Sequence, residues 1–325
     1  MPANQDRKSL PLEIILNVID FVTPTSNTSP IALVPGHPTT KTILSLTLTS
    51  RAIHPVARRL LYANCMYIHT SKRLSLLVRT LTKPHDLYQP SESAKDILPC
   101  ITSLYLRPFP LKYDPSSLDF PTSLKVEQLL KHAGPYLRRL LIDMPLRSLY
   151  PEDDALGVKR ILRSAFTNLP VLEEFCTVRD ELFLSTKIMH PSDEPHVWSL
   201  WSKLRTLALY NPAVDDELLQ DLKNVPNIET VVFTRSDCLE ETDIKQKWER
   251  LHRNEEVRPV EFLLVNVEAE HRIPLGKDRW KEDDTVKIRE LNVPISYYGD
   301  EDEIVLCQQW VKRKFLSGEA AVNWT

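Results

Sequence analysis

Glycine is scarce in this chain, with 6 among 325 residues. Loops that cradle phosphate need glycine to bring backbone N–H groups close to the ligand, and neither a GxGxxG nor a GxxxxGK stretch occurs. That argues against the common nucleotide-dependent enzymes. Cysteine is sparse too: Cys65, Cys100, Cys176, Cys238 and Cys307 are scattered and odd in number, the usage of free thiols in a reducing compartment. No basic excess exists, since the formal net charge is -3, so a non-specific nucleic-acid partner is not expected. No apolar run reaches membrane-spanning length, and no membrane partner is expected. The opening MPANQDRKSLP lacks the apolar stretch of a secretory signal. Cytoplasm or nucleus is the expected location.

Proline, by contrast, is abundant at 25, and hydrophobic residues make up 42%, an ordinary share for a globular protein with a sizeable core. The most informative stretch is SLPLEIILNVIDFV, from Ser9 to Val22. Pro11 suits the first turn of a helix and Glu13 suits its positive end. Ile14, Ile15, Val18, Ile19 and Val22 recur at helical spacing. Such a stripe is too apolar for a solvated helix and must pack on the chain or on a partner. A second stretch, Lys41 to Ile68, reads as two short helices. One carries Ile43, Leu44, Leu46 and Leu48, and the other carries Ala52, Ile53, Val56, Ala57, Leu60 and Leu61, with Pro55 at a helix start.

Taken in order, Leu10, Pro11, Glu13 and Ile14, then Leu44, Leu46, Ser50, Arg51, Ala57 and Leu61, resemble the F-box of fungal proteins. The resemblance implies a three-helix unit over residues 9–69 that docks on a Skp-type adaptor and, through it, a cullin. The adaptor contacts it implies are Leu10, Pro11, Glu13, Ile14, Ile19, Leu44 and Leu48. Residues 1–8 are expected to be disordered. Thr23 to Thr40 is rich in proline, threonine and serine, and is expected to be an inserted surface loop. Residues 70–100 read as a linker helix, with Leu74, Leu77, Val78 and Leu81 on one face, followed by a loop.

From Ile101 a rhythm sets in. Strand-like runs at Ile101–Leu106, Leu137–Ile142, Leu172–Val178, Leu204–Leu209 and Ile228–Phe233 alternate with helical stretches at roughly thirty-residue spacing. The pattern over residues 101–236 resembles an irregular leucine-rich repeat, with Asn211 the nearest candidate for the asparagine that closes such a repeat. The fold class is therefore α/β: a three-helix F-box followed by a βα solenoid, or alternatively an F-box plus a compact α/β domain. In residues 237–325, VEFLLVNVE and TVKIRELNVP read as two more strands. Glu301 to Phe315 reads as an amphipathic helix capping the open end, with Ile304, Val305, Cys307, Trp310, Val311 and Phe315 buried.

No catalytic residue, metal ligand or cofactor is assigned. HPSDEPH, with His190, Asp193, Glu194 and His196, has ligand-type side chains but no scaffold to hold a tetrahedral site, and reads as a solvated loop. The acidic clusters at Glu152–Asp154, Glu282–Asp284 and Asp300–Glu303 read the same way. The expected function is substrate recognition for a Skp–cullin–F-box ubiquitin ligase, with a non-catalytic scaffold acting outside degradation as the alternative. The expected client face consists of outward strand positions: Tyr105, Arg138, Arg139, Glu173, Glu174, Arg205 and Glu229. Basic and acidic pairs alternate along it, so neighbouring strands can also neutralise one another.

Overall fold

The computed structural model describes residues 11–22, 30–83, 86–111, 114–187, 194–253, 256–267, 273–281, 284–295, 299 and 301–319. Its centre is a parallel sheet whose strands follow chain order: β1 (Tyr67–Ile68), β4 (Ser103–Leu106), β5 (Arg139–Ile142), β6 (Glu174–Thr177), β7 (Thr206–Tyr210), β8 (Thr230–Thr234), β9 (Val260–Val267) and β10 (Val286–Val293). A separate antiparallel pair, β2 (Thr82–Lys83) and β3 (Asp86–Pro90), lies between the first two of these strands in the chain. The five strand runs read from the sequence, and the two after them, are all present.

Each parallel connection needs a crossover, and helices supply most of them. These are α4 (Ser71–Leu81), α5 (Phe120–Ala133), α6 (Val158–Thr167), α7 (Asp216–Lys223) and α8 (Ile244–Leu251). Aspartates start three of them: Asp119, Asp215 and Asp243 accept from the N–H of Thr122, Leu218 and Gln246. At α6, Gly157 takes a left-handed turn at φ 71, and Asp154 accepts from the N–H of Val158 and Lys159 instead. All five helices pack on one face of the sheet, against Leu104, Leu140, Phe175, Leu207, Val231, Phe262 and Ile288.

The opposite face is apolar as well. Tyr105, Leu141, Cys176, Ala208, Val232 and Leu263 form a second core with Ile31, Ala32 and three residues of α9 (Glu303–Ser317): Cys307, Val311 and Phe315. This corrects the expectation of an end cap. The helix lies across the sheet face, and Ile304 and Val305, expected to be buried, are exposed. With both faces covered, the compact α/β domain fits this arrangement. Asn211 does not close a repeat from inside: it is a left-handed residue at φ 52 whose amide reaches Asp237 at the surface.

The N-terminal unit has α1 (Leu12–Asp20), α2 (Pro38–Leu46) and α3 (His54–Asn64). Two boundaries differ from those read in the sequence. The sheet begins at β1, inside the range given to the F-box, and the "linker" helix α4 buries Leu74, Leu77, Val78 and Leu81 in the main core. The insert differs also, in the part that is described. Ile31 and Leu33 are buried, the Ile31 N–H donates to the Leu316 carbonyl, and the Leu33 N–H donates to the Asn64 carbonyl. Residues 30–37 thus join the N-terminal helices to α9; residues 23–29 of the insert lie outside the described residues.

Ile31→Ala should therefore cost about 2–5 kcal/mol, as large-to-small core changes do. Val34→Ala, at an exposed neighbour, should stay within about 0.5 kcal/mol. Urea unfolding of the two variants checks this, and equal small effects would place residues 31–33 outside the core.

Candidate functional site

The N-terminal helices bury little of their own apolar surface. Their interior is Ile19, Ile53 and Ala57, lined by Ile15, Leu16, Leu46, Val56 and Leu60. Ile19, expected to touch an adaptor, is only 2% exposed and holds α1 onto α3 instead. The other expected contacts divide. Ile14 is 47% exposed, Leu44 45% and Leu48 87%, while Pro11 and Glu13 are exposed at the start of α1. Leu10 lies outside the described residues. Leu12, Val18 and Phe21 are exposed too, so part of the apolar stripe of α1 faces solvent, while Glu13 and Asn17 share its polar side. Phe21 was missed in the sequence, although an apolar residue just beyond a helix already apolar on one broad stripe was the available signal.

Of the expected client face, Tyr105 is covered, while Arg138, Arg205 and Glu229 are exposed. Tyr105 has no exposed surface; it stacks on Tyr67 with ring centroids 4.2 Å apart, and its hydroxyl donates to Asp143 Oδ2 at 2.9 Å. Asp143 is itself buried and gathers two cations, Lys312 Nζ at 2.8 Å from Oδ2 and Arg179 Nε at 2.6 Å from Oδ1. Arg179 also donates to Gln308 Oε1 at 3.2 Å. Lys312 and Gln308 belong to α9, so this cluster fastens the helix to the sheet. Burial alone would raise the Asp143 carboxyl, but the charges of Lys312 and Arg179 and the hydrogen bonds from Lys312 and Tyr105 outweigh it and hold the group below the usual carboxylate range. Burial and the Asp143 charge push the Tyr105 phenol far up.

The remaining residues of that face neutralise one another. Arg138 and Glu173 are 3.3 Å apart, Arg139 and Glu174 3.5 Å, and Arg205 and Glu229 2.7 Å. The parallel register sets one row across the sheet: Ser103, Arg139, Glu174, Thr206, Thr230, Glu261 and Lys287. Burial lowers the Arg139 pKa and raises that of Glu174, so each charge depends on the other.

At the carboxyl ends of the strands, loops enclose a cleft of about 230 Å³ lined by Arg147, Glu181, Phe183, Glu194, His196 and Leu218 among others. Beneath it Lys159, fully buried, donates to the carbonyls of Leu146 and Phe183. Asp180, also buried, accepts from the N–H of Leu146 and Leu182. Burial pulls Lys159 down to about 8 and, with Glu181 nearby, pushes Asp180 up to about 6. These two groups hold adjacent loops together.

The two described ligand-type residues of HPSDEPH, Glu194 and His196, make structural contacts. His196 Nδ1 lies 2.7 Å from Asp221 and its ring stacks on Trp198; Glu194 accepts from Thr186. His190 and Asp193 lie outside the described residues. In the acidic clusters Asp154 and Asp302 cap helices, while Asp284 and Glu303 pair with Lys245 and Arg235. Among the described residues no group of three or more His, Cys, Asp or Glu could hold a metal ion, and no helix is long and apolar enough to cross a membrane. No family model, no curated protein and no solved structure matches this chain.

Asp143→Ala leaves Lys312 and Arg179 without their shared partner and should cost about 3–5 kcal/mol. Because the folded pKa is depressed, the stabilisation is present above about pH 4, the unfolded value, and is lost as pH falls through the folded value. Denaturation of the parent and variant across that range should converge in acid, and a constant difference would exclude the ion cluster as its cause. At the charge row, Arg139→Met should destabilise by about 2 kcal/mol, and adding Glu174→Leu should recover most of it, since the lone carboxylate carries the cost. Additive losses in the double variant would contradict that coupling.

Proposed function

We propose that the chain is the substrate-recognition subunit of a Skp–cullin–F-box ubiquitin ligase, acting in the cytoplasm or nucleus. The observation that carries the reading is the exposed apolar surface of the N-terminal helices: Leu12, Ile14, Val18, Phe21, Leu44 and Leu48 stay in solvent. Large apolar side chains left in solvent mark interaction sites where they form a patch. They fall on α1, α2 and the turns that follow, the stretches whose sequence resembles an F-box. The adaptor is the partner this surface fits, with the cullin reached through it. The irregular repeat pattern of the strands, which follow one another in chain order, supports a solenoid-derived recognition domain behind the helices. Under this reading the chain performs no chemistry. It raises the local concentration of client lysines near the ubiquitin carrier.

A second reading, a scaffold that binds the adaptor without delivering a client, draws on a different observation. The charges expected on a client face pair between neighbouring strands, at Arg138–Glu173, Arg139–Glu174 and Arg205–Glu229. Recovery of cullin and polyubiquitinated proteins with the chain favours the receptor; recovery of the adaptor alone favours the scaffold.

Ile14→Asp combined with Leu48→Asp tests the adaptor surface. Both positions are exposed, so the thermal midpoint should stay near that of the parent. Buried anchors of an interface typically cost about 2 kcal/mol or more on loss, so co-purification with the adaptor should disappear. A folded double variant that still co-purifies with it would overturn the assignment.

A further inference from the structure

Among the described residues β10 ends the sheet: it pairs with β9 alone, in unbroken parallel register over all eight of its residues. The helix expected to close this end, α9, lies on the face instead. The Val260 N–H donates to the Thr285 carbonyl, so the odd-numbered residues of β10 bond to β9. Val286, Ile288, Glu290 and Asn292 then aim their N–H and C=O groups away from the sheet. None of these groups has a backbone partner on that side among the described residues. Of the devices that blunt an edge, the strand has no proline and no bulge, only the charges of Lys287, Arg289 and Glu290.

The charge row identifies what belongs next. Across the sheet it runs through Arg139 and Glu174 and ends with Glu261 and Lys287. Arg289 Nε takes Glu261 at 2.8 Å. Lys287, exposed and directly opposite Glu261, makes no ion pair among the described residues. On the helix face the neighbouring row, Leu104 to Phe262, ends in the apolar Ile288. The next strand in the pattern therefore carries an acid opposite Lys287 and an apolar residue opposite Ile288.

We infer that the β10 edge binds an extended protein segment that alternates acidic and apolar residues, adding it to the sheet as a further strand. Main-chain hydrogen bonds supply affinity, and Lys287 with Ile288 supplies preference for side chains. The segment is a client of the receptor proposed above, and this inference rests on that reading for the segment's role. The binding itself needs no adaptor. A second copy of the chain fits less well: about a two-fold axis that preserves both faces, the two longest registers set Glu290 against Glu290 or Arg289 against Arg289.

The test uses the full chain and a fluorescein-labelled eight-residue peptide alternating aspartate and valine. Fluorescence anisotropy should saturate, and Lys287→Glu should weaken binding at least tenfold while strengthening an alternating lysine–valine peptide. Two further peptides, N-methylated on one or the other alternate set of amides, should differ: one should lose binding, and the other should keep it. In hydrogen exchange, the amides of Ile288, Glu290 and Asn292 should be unprotected in the free chain and slowed by the peptide. Absence of saturation, an indifferent Lys287→Glu variant or equal behaviour of the two N-methylated peptides overturns the inference. So does protection of these amides in the free chain, by a second copy if sedimentation gives a dimer and by the chain itself if it gives a monomer. Since the adaptor is absent throughout, failure here leaves the adaptor reading standing, and failure of adaptor binding leaves this result readable.

Discussion

Apolar residues line both faces of the parallel sheet, and most of the remaining structure follows from covering them. One face meets the crossover helices, as right-handed parallel connections dictate. The other holds Tyr105, Leu141, Cys176, Ala208, Val232 and Leu263, which water cannot be left to cover. At about 25 cal/mol for each Å² removed from water, side chains of this size favour any cover the chain can supply. The chain uses α9 and residues 31–32. Because α9 comes from the C-terminal region and residues 31–32 from the N-terminal one, closing this face ties the two ends of the chain together.

The cover also explains where the polar groups sit. Asp143 lies just past β5, beside Tyr105 and beneath α9, where a lone carboxylate would be costly. Lys312 and Arg179 approach it from two elements, and Gln308 extends the set. Such a cluster does less for net stability than for position: it sets how α9 lies on an otherwise uniform apolar surface. The charged pairs at the amino ends of the strands do a related task where α9 does not reach. Arg138 with Glu173 and Arg205 with Glu229 pair beyond the reach of α9 and keep much of their side chains in solvent.

Much of this was legible in the sequence. The strand runs could be read because a short apolar run after a proline or a helix end is a local signal. Helices α5 to α9 were marked by their periodicity and four of them by an aspartate at the start. The N-terminal helices were legible through their motif, though Ile19 and Ile14 could not be told apart. Both lie on an apolar helix, and only the docking of α1 on α3 decides which one is buried. The two-sided burial of the sheet was written in runs such as LLI, FCT and VVF, which show no alternation. Reading only the LxxLxL leucines as inward placed Tyr105 in solvent.

The sequence by itself determined the alternation of strand and helix, the chain order of the strands, and the pairing of basic with acidic residues on neighbouring strands. Those are local or near-neighbour properties, set by periodicity, caps and the short separation between adjacent βα units. Tertiary structure alone decided that α9 crosses the face rather than closing the end, that Ile31 and Leu33 are core, and that β10 is the last strand of the sheet among the described residues. An amphipathic helix specifies that it must bury one side, not which of two exposed apolar surfaces it buries it against. That choice depends on the whole sheet, whose second face exists only once residues from β4 to β10 have come together.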